Sequence, residues 1–302
     1  MNTTITTSPI VDTVRNAFDF SVDKFPLTGP ENMRTPHYGL FRSDNGECVG
    51  RACKAGYVPH TVDDVLAITE AVASVWDADT APHVETLFAN GHHVQIRPTE
   101  NYRREIFDAG RAGKIADAIF PRLVIRAGYD ARAFTVSVGL YRDACRNMVM
   151  IEAARETVTS IRHTRSLREN VDKLVDQLRG LQAGWANVAD AAERMESREL
   201  IVADYLAEIY GRPEELTSQR AVTMHRRRTD AILNRLVREY QATGRDESQV
   251  QSGRATGWML FNAVQGWSQH DQSRRATHPL ARAFASDSDR AVRQAATLAL
   301  GA

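Results

Sequence analysis

Arginine side chains outnumber their acidic neighbours in residues 120–146. This stretch holds five arginines against Asp130 and Asp143, a formal charge of +3 inside a chain whose net charge is zero. The five are Arg122, Arg126, Arg132, Arg142 and Arg146. A guanidinium group makes forked contacts with phosphate, and Tyr129 or Tyr141 could offer a ring on which a base stacks. These residue types predict a track for a sugar-phosphate backbone, and a solvated sheet face with arginines at its rim explains them equally well.

A second basic cluster lies just before a predicted helix. Arg162, His163 and Arg165 precede the sequence Ser166–Glu169, which contains Arg168 and has the pattern of a capping box. The amide groups at the start of a helix attract anions, so this cluster could add phosphate contacts. An unbound, solvated turn is the other interpretation.

A third cluster, His225–Arg228, is predicted to lie in the middle of a helix. Its members would therefore point in different directions around the helix axis. We expect part of this cluster to pair with acidic residues such as Asp230 rather than to bind DNA.

Patterns that would indicate an enzyme are weak. The sequence has no Gly-x-Gly-x-x-Gly motif after a strand, and Gly110–Lys114 is followed by Ile115 where a phosphate loop needs Ser or Thr. The nine histidines are scattered. We therefore expect no catalytic residue, no cofactor and no metal ion. A nucleophile–base pair of Cys145 and His163 is the best enzymatic alternative.

The first half of the sequence predicts antiparallel strands around one helix. Tyr38–Cys53 contains an Asn-Gly turn typical of a hairpin, a helix begins at Thr61 or Asp63, and His92–Arg97 alternates like a strand. Residues 123–126 and 133–141 predict a second hairpin. Its apolar face would hold Leu123, Ile125, Phe134, Val136, Val138 and Leu140. Its polar face would hold Arg122, Arg126, Thr135, Ser137 and Tyr141.

From about residue 150 onward the predicted elements are helices. One begins at the capping box, one is capped by Ser197, and three more are predicted at 217–241, 255–270 and 288–300, with a polar linker at 244–253. The order β-β-α-β-β-β-α, followed by helices, predicts an α+β fold. The predicted divisions are a mobile segment at 1–19, an α+β sheet domain at 20–165 and a helical domain at 166–302.

The composition is that of an ordinary folded protein. Hydrophobic residues make up 43% of the chain and charged residues 25%, which excludes a largely disordered chain. The zero net charge excludes a protein that coats nucleic acid through bulk positive charge. No run of about 18 apolar residues occurs, no signal peptide is recognisable, and three cysteines fit a reducing compartment. We expect a cytoplasmic protein that does not enter a membrane.

Four short blocks give the sequence a family resemblance. They are an Arg-x-x-Cys-x-Asn block in Gly139–Met148, an Arg-His-Thr block in Ile161–Thr164, a Thr-x-Trp…Asn-Ala block in Thr256–Val264, and a Gly…Tyr segment in Val49–Pro59. By their order and spacing along the chain they resemble the phage/plasmid-like domain-of-unknown-function family from about residue 20 to 300, with Met148 as a departure from its pattern. The resemblance implies a chain encoded by a phage, plasmid or prophage in a bacterial cell.

The predicted element order is also similar to the core of single-strand annealing proteins, the superfamily of Red-beta, Erf and the Rad-type proteins. That resemblance implies single-stranded DNA bound in a basic groove, a ring or filament of identical chains, and no need for ATP or metal. The expected function is DNA binding and strand annealing in recombination, through the clusters at 120–146 and 162–168. The alternative is a non-enzymatic interaction or regulatory factor of a mobile element, for example one that counters a host defence.

Overall fold

Antiparallel strands are the main regular elements in the first half of the chain and helices are those of the second, which confirms the predicted α+β class. The computed structural model describes residues 9–53, 56–76, 83–97, 100–110, 112–129, 134–144, 147–149, 158–161, 171–272, 278–287 and 289–301. Two compact units emerge. Unit 1 comprises residues 1–102, 121–138 and 155–185, and unit 2 comprises 103–120, 139–154 and 186–302. Each unit draws on three segments, whereas the predicted domains 20–165 and 166–302 are continuous.

Unit 1 begins with an ordered helix, α1 (Pro9–Ala17). Ile10, Val11 and Val14 are buried, and their helical spacing places them on one side of α1. Helix α1 occupies much of the segment 1–19, and the mobility of that segment stays a prediction. The sequence signal was weak because three apolar residues in nine make a short amphipathic pattern.

A three-stranded antiparallel sheet follows, formed by β1 (Val22–Thr28), β2 (Arg34–Arg42) and β3 (Cys48–Cys53) in that spatial order. The pairing of β2 with β3 confirms the predicted hairpin. Strand β1 was not predicted, because it is an edge strand with little buried surface and with Pro26 in its middle.

Helix α2 (Val62–Val75) starts as the sequence predicts. The Thr61 hydroxyl accepts a hydrogen bond from the Asp64 amide, and the Asp64 carboxylate accepts one from the Thr61 amide. Such a capping box satisfies two amide groups that a helix start otherwise leaves without partners.

The larger sheet has seven strands. They are β4 (His83–Phe88), β5 (Gly91–Arg97), β6 (Arg104–Phe107), β7 (Asp117–Gly128), β8 (Phe134–Arg142), β9 (Asn147–Val149) and β10 (Val158–Ile161). The spatial order is β10-β8-β7-β5-β4, with β6 paired to β7 and β9 paired to β8. The predicted hairpin of β7 and β8 is confirmed. Strand β4 was not predicted, and β6, β9 and β10 were missed because segments of three or four residues carry too little periodicity to be recognised.

The helical part contains α3 (Val171–Ser197), α4 (Val202–Tyr210), α5 (Gln219–Thr243), α6 (Ser248–Gln251), α7 (Gly257–Gly266), α8 (Pro279–Asp287) and α9 (Arg290–Leu300). Strand β11 (Glu199–Ile201) follows α3 in the sequence, strand β12 (Arg254–Thr256) precedes α7, and the two strands pair with each other. Ser197 ends α3 and does not cap α4, so that prediction is wrong. The predicted linker 244–253 instead contains α6 and the buried Arg245.

Helix α7 forms the centre of unit 2, and all ten of its residues are buried. Gly257 is required at its start, because a Cβ there would lie 3.0 Å from the carbonyl oxygens of both Met195 and Ala299. A residue without a side chain therefore lets the backbones of α3 and α9 approach α7 closely. Within the described residues, no helix is long and apolar enough to cross a membrane.

Candidate nucleic-acid interface

Arg122 lies inside unit 1 and not on an open face. Its side chain is 0% exposed, and Nε donates a hydrogen bond of 2.6 Å to Oε1 of Gln95, which is also buried. Ser137 on β8 is buried as well. Strand β7 is central in the sheet, and every residue from 117 to 125 is buried, so both of its faces are covered. The prediction of a solvated polar face on this hairpin is therefore wrong.

Tyr129 is also unavailable as a platform for a base. Its ring is 2% exposed and stacks on the His60 imidazole, with the ring centroids 4.1 Å apart and the planes 8° apart. Its hydroxyl donates to the His60 carbonyl oxygen at 3.1 Å. Burial raises the pKa of the Tyr129 hydroxyl above its ordinary value. This tyrosine packs the interior of unit 1.

Two more of the predicted residues, Arg126 and Tyr141, are half-buried. Six further predicted residues lie outside the described residues, as does Cys145 of the enzymatic alternative. These six are Arg132, Arg146, Arg162, His163, Arg165 and Arg168.

Arg142 lies in unit 2, at the centre of a buried ion-pair cluster. Its guanidinium is 0% exposed and donates to both oxygens of Asp117, from Nε at 2.5 Å and from Nη2 at 2.7 Å. Nη1 donates to Oε2 of Glu239 on α5 at 2.5 Å. A guanidinium matched by two carboxylates has no donor directed to solvent, so the prediction that Arg142 binds phosphate is wrong for this structure.

The same cluster contains Arg245, which is 6% exposed. Its Nη1 lies 2.9 Å from Oδ2 of Asp117, and its Nη2 donates to Oε1 of Glu196 at 3.0 Å. The Trp258 indole completes the shell by donating to Oδ2 of Asp117 at 3.0 Å. Burial alone would raise the pKa of Asp117, but the charges of Arg142 and Arg245 and these hydrogen bonds outweigh it and hold that pKa below its ordinary value.

Two of the sequence blocks meet in unit 2. Arg142 and Asn147 belong to one block, and Trp258 and Asn262 to another. The Asn147 amide donates to the Asn262 carbonyl oxygen at 3.1 Å, and Nε2 of His270 lies 3.2 Å from Oδ1 of Asn147. Burial, together with the nearby Arg235 and Arg282 charges, lowers the pKa of His270 to about 4. The two blocks therefore supply a buried polar interior in which His270 is neutral.

Exposed arginines are concentrated elsewhere in unit 2, on α5. This helix carries six arginines and two acidic residues, a formal charge of +4 over 25 residues. Arg220, Arg227 and Arg238, here called the arginine row, are all exposed. Arg220 and Arg227 are seven residues apart, about two helical turns, and Arg227 and Arg238 are eleven residues apart, about three turns. The three Cα atoms therefore lie on one side of the helix, with separations along its axis of about 10.5 Å and 16.5 Å.

The arginine row has no carboxylate partner within the described part of the chain. Arg238 donates only to the carbonyl oxygen of Asn234, one turn earlier. The neighbouring Arg226 does pair with Asp230, at 3.9 Å between Nε and Oδ2 and with both side chains exposed. The expected pairing of the His225–Arg228 cluster with Asp230 is thus confirmed for Arg226, while Arg227 is exposed to solvent.

Arg228 differs from the arginine row because aromatic rings hold it. Its guanidinium carbon lies 4.8 Å from the Tyr210 ring centroid and 5.5 Å from that of Trp267. Such cation–π contacts fix the side chain against the protein. The sequence indicated this cluster but not which of its members would be accessible.

Metal ligation has no support within the described residues, where no group of three or more His, Cys, Asp or Glu side chains could hold an ion. The buried acidic groups of unit 2 contact arginines, as described above.

Comparison with known proteins gives a family. No curated protein and no solved structure matches the chain. A family model described as a domain of unknown function (DUF932) matches residues 67–295. Three of the four sequence blocks fall within that range, and the Val49–Pro59 block precedes it. The predicted membership of a domain-of-unknown-function family is confirmed, and because the match covers well over half of its length, the chain belongs to the DUF932 family.

Proposed function

We propose that the protein binds nucleic acid through the arginine row of α5, by contacts with backbone phosphates. The observation that carries this proposal is the exposure of Arg220, Arg227 and Arg238 on one side of a helix without carboxylate partners in the described chain. A guanidinium group that is not neutralised by its own protein is free to take a phosphate in a forked contact.

Rigid spacing supports the same proposal. Hydrogen bonds of the helix fix the Cα positions of the arginine row, so three guanidinium groups sample a limited volume along one line. A regular polyanion presents its charges along a line as well, and each phosphate contact releases condensed counterions. The chain as a whole is neutral, so the attraction is local to this helix.

The proposal moves the predicted interface away from the β7–β8 hairpin. Arg122 and Arg142 are buried, and Tyr129 packs against His60. Strand annealing, a ring or filament of identical chains and an origin in a mobile element stay predictions from the resemblance. The alternative of an interaction or regulatory factor stays a prediction as well.

The test is a salt titration of DNA binding measured by fluorescence anisotropy. The variant R220Q/R227Q/R238Q removes the arginine row. The matched control R194Q/R290Q/R293Q removes three exposed arginines of α3 and α9. The slope of log K against log salt is negative, and each lost phosphate contact reduces its magnitude by about 0.7 to 0.9. We therefore expect the first variant to lose about 2 to 3 from the slope magnitude and the control to lose much less.

Two results would overturn the proposal. One is the absence of binding by the wild-type chain at about 50 mM salt, a condition that favours electrostatic contacts. The other is an equal loss of affinity in the two triple variants, which would show that total charge and not the arginine row determines binding.

A further inference from the structure

The protein covers the N-terminal half of α5 only in part. None of the residues 219–231 is buried, whereas Ile232, Leu236 and Tyr240 in the second half are 0% exposed. We propose that this half of α5 enters the major groove of a B-form DNA duplex. The inference rests on the proposed function and adds to it the form of nucleic acid and the mode of binding.

The dimensions fit. An α-helix with its side chains is about 10–12 Å across, and the major groove of B-form DNA is about 12 Å wide. The thirteen residues 219–231 span roughly 20 Å along the helix axis. A helix that is packed on all sides could not enter a groove, but this half is accessible.

The exposed side chains have the spacing of a recognition surface. Arg220, Thr223, Met224 and Arg227, here called the groove stripe, are all exposed. They follow one another at i, i+3, i+4 and i+7, so they lie on one face of the helix. Arginine can contact phosphate or the guanine edge, threonine can hydrogen-bond to a base edge, and an apolar methionine tip can contact the thymine methyl group.

Single-stranded DNA fits this helix less well. Binding of single strands gains about 1–3 kcal/mol for each base that stacks on an aromatic side chain. The single aromatic residue of α5 is Tyr240, which is 0% exposed. The nearby Tyr210 and Trp267 rings contact Arg228. The helix therefore offers contacts to phosphates and groove edges but no stacking platform.

Duplex RNA is excluded by shape. The major groove of an A-form helix is deep and too narrow for side chains on a helix to reach the base edges. The proposal therefore predicts an order of affinity in which duplex DNA binds more tightly than either single-stranded DNA or duplex RNA of the same sequence.

The experiment compares these three ligands, each about 20 nucleotides or base pairs long, which is two turns of a duplex. We expect duplex DNA to bind at least about tenfold more tightly than the other two. Methyl green, which occupies the major groove, should displace the protein, and netropsin, which occupies the minor groove, should not.

A pair of single variants locates the contact. M224E places a negative charge in the groove stripe and should weaken duplex binding by about tenfold or more. T297E adds the same charge at an exposed position of α9, outside the groove stripe, and should change the affinity by less than about threefold.

The outcomes separate the two proposals. Binding of none of the three ligands would remove the proposed function itself. Binding in which the single strand or the duplex RNA equals or exceeds duplex DNA, in which netropsin is the effective competitor, or in which M224E has no larger effect than T297E would overturn the groove proposal and leave phosphate binding standing.

Discussion

Replacement of Asp117 by Asn should destabilise the protein strongly, although the side chain keeps its size. Asp117 accepts two hydrogen bonds from Arg142 and one from Trp258, and it lies 2.9 Å from Arg245. Asp117, Arg142 and Arg245 are all at least nine-tenths buried. Asparagine cannot neutralise two buried guanidinium groups, and loss of one partner of a buried ion pair costs about 3–5 kcal/mol.

The measurement is urea unfolding followed by circular dichroism and tryptophan fluorescence. With an m-value of about 3 kcal/mol per molar urea, the expected loss lowers the midpoint by about 1 to 2 M. The matched control is D230N, which removes the exposed partner of Arg226 and should change the free energy of unfolding by no more than about 1 kcal/mol. The loss in free energy of unfolding in the double variant D117N/R142M should be smaller than the sum of the losses in D117N and R142M, because both single changes remove the same interaction.

The reasoning would be refuted by a loss in D117N no larger than that in D230N. The pH dependence gives a second check on the same cluster. The pKa of Asp117 lies below its ordinary value of 3.8, so its contribution to stability is complete at neutral pH. That contribution is lost as the pH falls through the lowered pKa, and D117N should remove this part of the acid sensitivity.

Two further predictions concern unit 1. Burial, followed by the charges of His93 and Arg42, lowers the pKa of His92 to about 3. Below pH 6.5 the unfolded chain therefore takes up a proton at His92 that the folded chain does not, so the free energy of unfolding falls as the pH falls. H92F should show a smaller drop in urea midpoint between pH 7 and pH 4.5. A drop equal to that of the wild type would contradict this account. Gly91 has φ = 154°, and a Cβ there would lie 2.3 Å from the Ala127 carbonyl oxygen. G91A should lower the free energy of unfolding by about 1–3 kcal/mol, measured by thermal or urea unfolding. A G91A variant as stable as the wild type would show that the turn can rearrange.

Short-range features of the fold were predictable because their cause lies within a few residues. The Thr61–Asp64 capping box uses groups three residues apart, and the β2–β3 hairpin turns through Ser43–Gly46. The apolar spacing of Val65, Ile68 and Val72 predicted the buried side of α2. In each case local hydrogen bonds and side-chain periodicity are sufficient.

The candidate site was predicted less well, because the accessibility of an arginine depends on distant parts of the chain. Arg122 and Arg126 are four residues apart and share one face of a strand, yet Arg122 is buried and Arg126 is half-buried. Periodicity describes which residues share a face of a strand, but it does not show whether another layer covers that face. The arginine row lies instead on α5, where none of the residues in the first half of the helix is fully buried.

From the sequence alone follow the α+β class, the principal hairpins, most of the helices and the concentration of arginine in residues 120–146. The tertiary structure separates the arginines into buried partners of carboxylates and exposed groups available to an anion. Arg142 and Glu239 are 97 residues apart in sequence and in direct contact in space. Such a pair forms when the chain folds and removes both charges from water, and no local pattern of residues encodes that neighbourhood.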